Sequence, residues 1–316
     1  MKKSFPVIAL CTLVTLGVSP TALAAPQEFS SVNELMAADQ PVAETVTTHN
    51  HGDPNDGISV TYTVSPEQPQ GAEGGAAVKL ANGQWASPAA ESLNSSMSVD
   101  QAVANDVLDR GRSFVEAGQD LKWNAHKPTP INNQIIHEED SKPYGVTCSS
   151  FIAMVMQGWD YNNTTYVADE NRRVGSWVDF GDAGDIWQAH KLASWLYDNG
   201  DLLAATNMDD LRPGDILFFS KQNPEGAGTT GTYFGNIYHT ALYVGDGTVI
   251  HSYGPSYETG VVEGKLGQAE QRNLSFVARP DWHNPNDPGS SANQNQKSEQ
   301  SDRKSSDSAG LASLSS

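Results

Sequence analysis

The stretch Phe151-Ile152-Ala153-Met154-Val155-Met156 is apolar without interruption, and it follows Tyr144-Gly145-Val146-Thr147-Cys148-Ser149-Ser150. The whole stretch reads as a turn and then a helix. Gly145 permits a sharp bend. Thr147 is the predicted N-cap, because its hydroxyl can accept from a free N–H of the first turn. A helix that is apolar on nearly every side is buried, so the rest of the chain is read as what surrounds it. Cys148 falls in the first helical turn. There the partial positive charge favours thiolate over thiol, which would lower the sulfur's pKa and make it nucleophilic. A small buried cysteine acting as a hydrophobe fits the same pattern. The helix alone does not separate the two.

The cysteine count adds to this. The chain opens Met1-Lys2-Lys3, runs apolar from Val7 to Val18 and reaches Ala22-Leu23-Ala24-Ala25. A basic start, a short apolar core and small residues at its end predict a signal peptide over 1–25. Cys11 would leave with it, so the exported chain would keep Cys148 alone and form no internal disulfide. A lone thiol in an oxidising compartment is buried, paired between chains, or used. The 316 residues suit one domain with extensions. Formal net charge is -19, and the loss of Lys2 and Lys3 makes it more negative still. That argues against nucleic-acid binding and against attachment to an anionic wall or membrane by charge. No later apolar run approaches membrane length.

From 26 to 97 the composition is Pro, Gly, Ala, Ser, Glu and Gln with few large apolar groups, which predicts a low-complexity, mostly disordered segment. Within it Ile58 to Val64 alternates with period two and reads as one isolated strand. His49-Asn50-His51-Gly52-Asp53 has a faint metal-site look but no convergent partners, and no metal or cofactor is assigned. Ser98 to Ala117 predicts a helix capped by Ser98, and Lys127 to Asn133 a loop. The cysteine helix should end near Gly158. A second amphipathic helix is expected from Ala183 to Asn199, closed by Gly200. Strands follow: Leu211-Arg212-Pro213-Gly214-Asp215 reads as a turn into the buried strand Ile216-Leu217-Phe218-Phe219. Ser220 to Asn236, rich in Gly and Thr, reads as a mobile loop. Ile237 to Val244 and Thr248 to Tyr253 form a hairpin around Gly245-Asp246-Gly247, and Ser275 to Arg279 is a further strand. Residues 284–316 read as a disordered polar tail.

His239 and His251 stand on opposite arms of that hairpin. A two-residue loop at Asp246-Gly247 would send them to opposite faces. A three-residue loop pairs Ala241 with His251 and puts both histidines on one face, diagonal neighbours roughly 7–8 Å apart at the backbone. A nucleophile–base–orienter set needs the second arrangement. A Cys-His-His metal site has too few ligands for a closed structural zinc, although three ligands plus water would suit a catalytic one.

Three pieces together resemble the NlpC-type family of papain-like cysteine peptidases, which act on bacterial cell-wall peptides. They are Cys148-Ser149-Ser150-Phe151, Leu211 to Phe219, and Tyr238-His239-Thr240-Ala241-Leu242-Tyr243-Val244 continuing to His251-Ser252. The resemblance implies an α+β, papain-like NlpC-type fold, with helices packed on a small antiparallel sheet over 98–283. It implies Cys148 as nucleophile, His239 as base and His251 as orienter. Tyr144, Ser149 and Ser150 are the expected substrate-binding residues. The implied substrate is peptidoglycan stem peptides or muropeptides, cut without a cofactor by a secreted or wall-associated monomer. A thiol amidase or acyltransferase of the same fold, or a non-catalytic secreted binding protein, is the alternative. Two departures stand out. Thr147-Cys148-Ser149-Ser150 replaces the usual Asp-Cys-Ser-Gly. The family's tyrosine before the cysteine has no clear counterpart, Tyr144 lying close to the cysteine and Trp123 far upstream.

Overall fold

The structure, a computed structural model, describes residues 27–51, 58–69, 76–123, 142–161, 173–180, 186, 188–205, 207–222, 233–253 and 260–280. The expected signal peptide, the Lys127–Asn133 loop and the 284–316 tail lie outside the described residues, as does most of the Ser220–Asn236 loop. Helices and sheets are mixed. The N-terminal part holds β1 (Gln27–Phe29), α1 (Val32–Met36), β2 (Thr45–Thr48), β3 (Val60–Ser65), β4 (Val78–Lys79), β5 (Trp85–Pro88) and β6 (Glu91–Ser92). Next come α2 (Gln101–Glu116), β7 (Leu121–Trp123), β8 (Tyr144–Val146), α3 (Cys148–Met156) and α4 (Ala189–Asp198). Then come β9 (Leu202–Ala204), β10 (Ile216–Ser220), β11 (Ile237–Gly245), β12 (Thr248–His251), β13 (Val262–Lys265), α5 (Gln268–Asn273) and β14 (Leu274–Ala278).

The main sheet has seven strands in the order β13-β12-β11-β10-β14-β9-β6, antiparallel except for the edge pair β6–β9. Its middle strands, β10 and β14, are buried at every residue, as a continuous apolar run requires. Alternation divides their side chains. Ile216, Phe218, Leu242, Ile250, Phe276 and Ala278 share one core with α2, α3 and α4. Leu217, Phe219, Ala241, Tyr243, Val249 and Val277 form a second core with Leu93, Leu211, Leu266 and Leu274. The first face is covered closely. A Cβ on Gly111 of α2 would stand 2.7 Å from Leu242 Cδ2, so only glycine lets the helix come down this far. The turn before β10 is pinned by a buried ion pair. Arg279 donates to both oxygens of Asp215 at 2.9 and 2.8 Å, and the Arg212 N–H donates to the same carboxylate at 2.8 Å.

The helices begin and end for local reasons. Asp100, not Ser98, caps α2: its carboxylate accepts from the N–H groups of Ala102 and Val103. Thr147 caps α3 as expected, within a capping box in which the Ser150 hydroxyl accepts from the Thr147 N–H at 2.8 Å. Gly158, at φ +83°, closes α3: its N–H reaches Val155 O, and the Trp159 N–H reaches Met154 O. Gly200 closes α4 in the same way. The far end of α3 is also held by Arg110 of α2. This buried guanidinium donates to the carbonyls of Val155, Val174 and Ser176 at 2.9, 2.6 and 2.8 Å.

The 26–97 expectation is corrected. Where one isolated strand was predicted, a five-stranded sheet stands in the order β1-β2-β3-β5-β4, and Glu91–Ser92 extends the main sheet. The predicted strand is real, but it is the central one. The sheet escaped composition because its strands are two to six residues long and bury alternate residues only. Val46, Val60, Tyr62, Val64 and Ala86 point inward and join Val32 and Leu35 of α1 in the first core. The Tyr197 hydroxyl of α4 donates to Thr61 O and accepts from Thr61 N–H, fastening the sheet to the rest. His49 faces Glu28, and His51 Nδ1 lies 3.0 Å from the Tyr62 hydroxyl, so the two histidines of the faint metal pattern serve separate partners.

Candidate active site

The hairpin solves the register problem by a route the sequence did not suggest. Asp246 and Gly247, with φ of +50° and +69°, make a two-residue turn between Gly245 and Thr248. Positive φ at both central residues is the turn whose twist suits a hairpin. The ladder then shifts between Tyr243 and Gly245, leaving Val244 as a bulge, and continues with Tyr243↔Val249 and Leu242↔Ile250. One bulge after a two-residue turn restores the register of a three-residue loop. His239 and His251 therefore share a face. Their rings meet, Nε2 of His239 lying 3.0 Å from Nδ1 of His251.

Beyond the last ladder pair the turn ahead of α3 comes up against these strands. The Ser252 hydroxyl donates to the Val146 carbonyl at 3.4 Å. The Thr240 backbone, one residue from His239, hydrogen-bonds to the Cys148 sulfur. The first helical residue of α3 is thus seated beside the strand that carries His239. Among the described residues the thiol and the imidazole form no direct hydrogen bond. In enzymes without substrate such contacts are often long.

Aromatic rings enclose the imidazoles. Phe219 stacks on His239 at 5.5 Å, Tyr238 lies 6.2 Å away, and Tyr253 stacks on His251 at 5.4 Å. Charge is disfavoured in such surroundings. Burial, reinforced by the neighbouring His251, holds His239 down to about 3, and burial also lowers His251, against a smaller upward pull from Glu270. The thiol moves the other way. Burial pushes Cys148 up, and hydrogen bonds from the Thr240 backbone and from Ser149 offset only part of the rise. This runs against the expectation of a thiol depressed by the helix terminus: partial burial raises the Cys148 thiol. The resting pair is neutral thiol and neutral imidazole.

The expected substrate-binding residues fare differently. Ser149 is buried with its hydroxyl on the Cys148 sulfur. Ser150 is fully buried and its hydroxyl serves the α3 capping box, so it holds the helix rather than facing a substrate. Tyr144 is buried in β8 opposite Leu121. That parallel pairing also sets Trp123 against Val146, two residues before Cys148. A cavity of about 560 Å³ lined by Leu211, Pro213, Tyr243 and Asp246 sits at the hairpin tip, the opposite end of β11 from His239. Sequence reasoning missed Tyr253 and Phe219. The signal for Tyr253 was its place two residues after His251, on the same face.

No protein-family model matches the chain, and no curated protein does. Among solved structures it is similar to an NlpC/P60 family protein from Bacillus cereus, with 16% identity, TM-score 0.30 and coverage of 72% of this chain and 58% of that one. The P60 domain of a Mycobacterium avium subspecies paratuberculosis antigen gives 14% identity, TM-score 0.32 and coverage of 57% and 95%. The peptidoglycan hydrolase RipB from Mycobacterium tuberculosis gives 14% identity, TM-score 0.30 and coverage of 57% and 68%. The chain thus spans little more than half the length of the Bacillus cereus protein. Superposition at these scores is partial, so the site stands on its own geometry.

Proposed function

We propose that the chain is a secreted cysteine endopeptidase of papain-like, NlpC-type fold that hydrolyses peptide bonds in peptidoglycan stem peptides. The observation that carries this reading is the His239–His251 hydrogen bond at 3.0 Å on a strand whose next residue touches the Cys148 sulfur. The substrate class comes from the motif resemblance, and secretion from residues 1–25.

The chemistry follows from which nitrogen is engaged. With Nε2 of His239 donating to Nδ1 of His251, the tautomer of the base is fixed and its Nδ1 carries the lone pair. That nitrogen takes the Cys148 proton as a peptide carbonyl docks against the start of α3. The thiolate attacks the carbonyl carbon, and the Cys148 backbone N–H helps hold the oxyanion. The imidazolium then protonates the leaving amine, and a thioester remains. Water, deprotonated by His239, cleaves the thioester to the free acid and returns the proton to sulfur. Because the resting pair is neutral, the charge separation belongs to the substrate-bound site.

Purified wall fragments incubated with the chain and read by mass analysis test this. Cleavage should disappear in Cys148→Ala, whose circular dichroism should match wild type. His251→Ala should lose less activity than His239→Ala. Undiminished cleavage in Cys148→Ala would refute the assignment.

A further inference from the structure

We infer that Tyr253 is a positioning residue for the imidazole pair, its ring lying flat on His251 with 5.4 Å between centroids and 7° between planes. The inference rests on the Cys148–His239–His251 reading and assigns a group outside that set. Tyr253 follows β12 and belongs to neither hydrophobic core. Its residue surface is 40% exposed, unusual for so large an aromatic side chain among the described residues. Yet the ring covers both histidines, standing also 5.9 Å from His239 at 60°. Phe219, fully buried, fixes the plane of His239 from within the sheet, and Tyr253 fixes the plane of His251 from the solvent side.

The hydrogen bond between the rings makes this matter. A single bond through Nδ1 leaves the His251 ring free to turn about its own axis. A stacked ring removes that freedom and keeps the acceptor lone pair aimed at His239 Nε2. It also keeps water off the pair. Stacked aromatic rings prefer offset or tilted geometries, and the two contacts of Tyr253, one parallel and one tilted, are of those kinds. Among the described residues, the titratable and charged groups around the pair are Cys148 from α3, Tyr238 of β11 with Lys221 over its ring, Glu270 of α5, and Tyr253 itself.

Alkylation of Cys148 by iodoacetamide, followed from acid to alkaline pH, tests the role without needing a peptide substrate. The full chain is used, and Cys148→Ala serves as blank because Cys11 also carries a thiol. Tyr253→Ala lets water back to the site, which eases the desolvation that holds the thiol up, so the thiol limb of the profile should move down by about one pH unit and alkylation near neutral pH should speed up about tenfold. Tyr253→Phe, which keeps the ring, should track wild type. Tyr253→Leu keeps apolar bulk without a flat face and should behave like Ala; it serves if Ala unfolds the chain. A profile for Tyr253→Ala and Tyr253→Leu that superimposes on wild type would overturn the inference, and so would a Tyr253→Phe profile matching Ala. A His239→Gln profile that superimposes on wild type would instead overturn the assignment of the base.

Discussion

Acid should destabilise this fold through His239, and by an amount the structure sets. In the unfolded chain the imidazole titrates near 6.5, while burial beside His251 holds it down to about 3 in the folded state. Below pH 6.5 the unfolded state therefore takes up a proton that the folded state refuses. Stability from this group is whole above about 6.5, falls as pH drops, and stops falling near 3. Each pH unit inside the window is worth about 1.4 kcal/mol. At pH 5 the loss is about 2 kcal/mol relative to pH 7.5, and the lowered His251 adds in the same direction. Carboxylates contribute to any acid effect, so the useful quantity is a difference. Urea unfolding of wild type and of His239→Gln at both pH values isolates the histidine, since glutamine keeps an N–H for His251 and does not titrate. Wild type should lose about 2 kcal/mol more than the variant. Equal losses in the two chains would show that His239 is hydrated and charged in the folded state, and the neutral resting site would fall with it.

The buried ion pair, the close helix–sheet contact at Gly111 and the thiol each give a further outcome. Asp215→Asn leaves the Arg279 guanidinium buried without its carboxylate and should cost about 3–5 kcal/mol in chemical denaturation; a loss below about 1 would remove the ion pair from the supports of the fold. Gly111→Ala sets a methyl 2.7 Å from Leu242 Cδ2 and should cost about 1–3 kcal/mol by the same measurement, whereas an unchanged midpoint would mean that Leu242 can move aside freely. With burial pushing the thiol up, alkylation of Cys148 should accelerate steadily from neutral into alkaline pH; a rate already at its plateau at mildly acidic pH would instead report a depressed thiol.

What could be read in the sequence was whatever a few adjacent residues decide. Thr147 caps the cysteine helix because a hydroxyl one residue before a helix has one thing to do there. Gly158 and Gly200 end helices because the backbone turns left-handed at each. The run from Ile216 announced a strand buried on both faces. What could not be read depended on distant partners. Ser150 sits next to Ser149, yet one hydroxyl closes a cap and the other faces the sulfur; only the third dimension distinguishes them. Tyr62 looked stranded in a polar segment because its surroundings are completed by Val32 and Leu35 of α1, earlier in the chain, and because the sheet is fastened by Tyr197 of α4, far along it. The direction of the thiol's shift was missed for a related reason. The helix terminus is visible in the sequence, while the burial that raises the thiol comes from the rest of the fold.

The hairpin shows how narrow the margin is. Side chains on a strand alternate with a period of two, so a slip of one residue would turn His251 away from His239. The tight turn at Asp246-Gly247 by itself gives that wrong register. Val244, extruded between Tyr243 and Gly245, corrects it. Turn and bulge are thus a single device: the turn closes the strands with the right twist, and the bulge returns the histidine to the face where its partner waits. Phe219 from β10 and Tyr253 beyond β12 then fix the two ring planes, and Ser252 ties the same strand end to the carbonyl of Val146 ahead of Cys148. The pairing of the imidazoles and the seating of the cysteine helix thereby depend on one register, so a change at the hairpin tip acts on the sulfur's surroundings through the backbone between them.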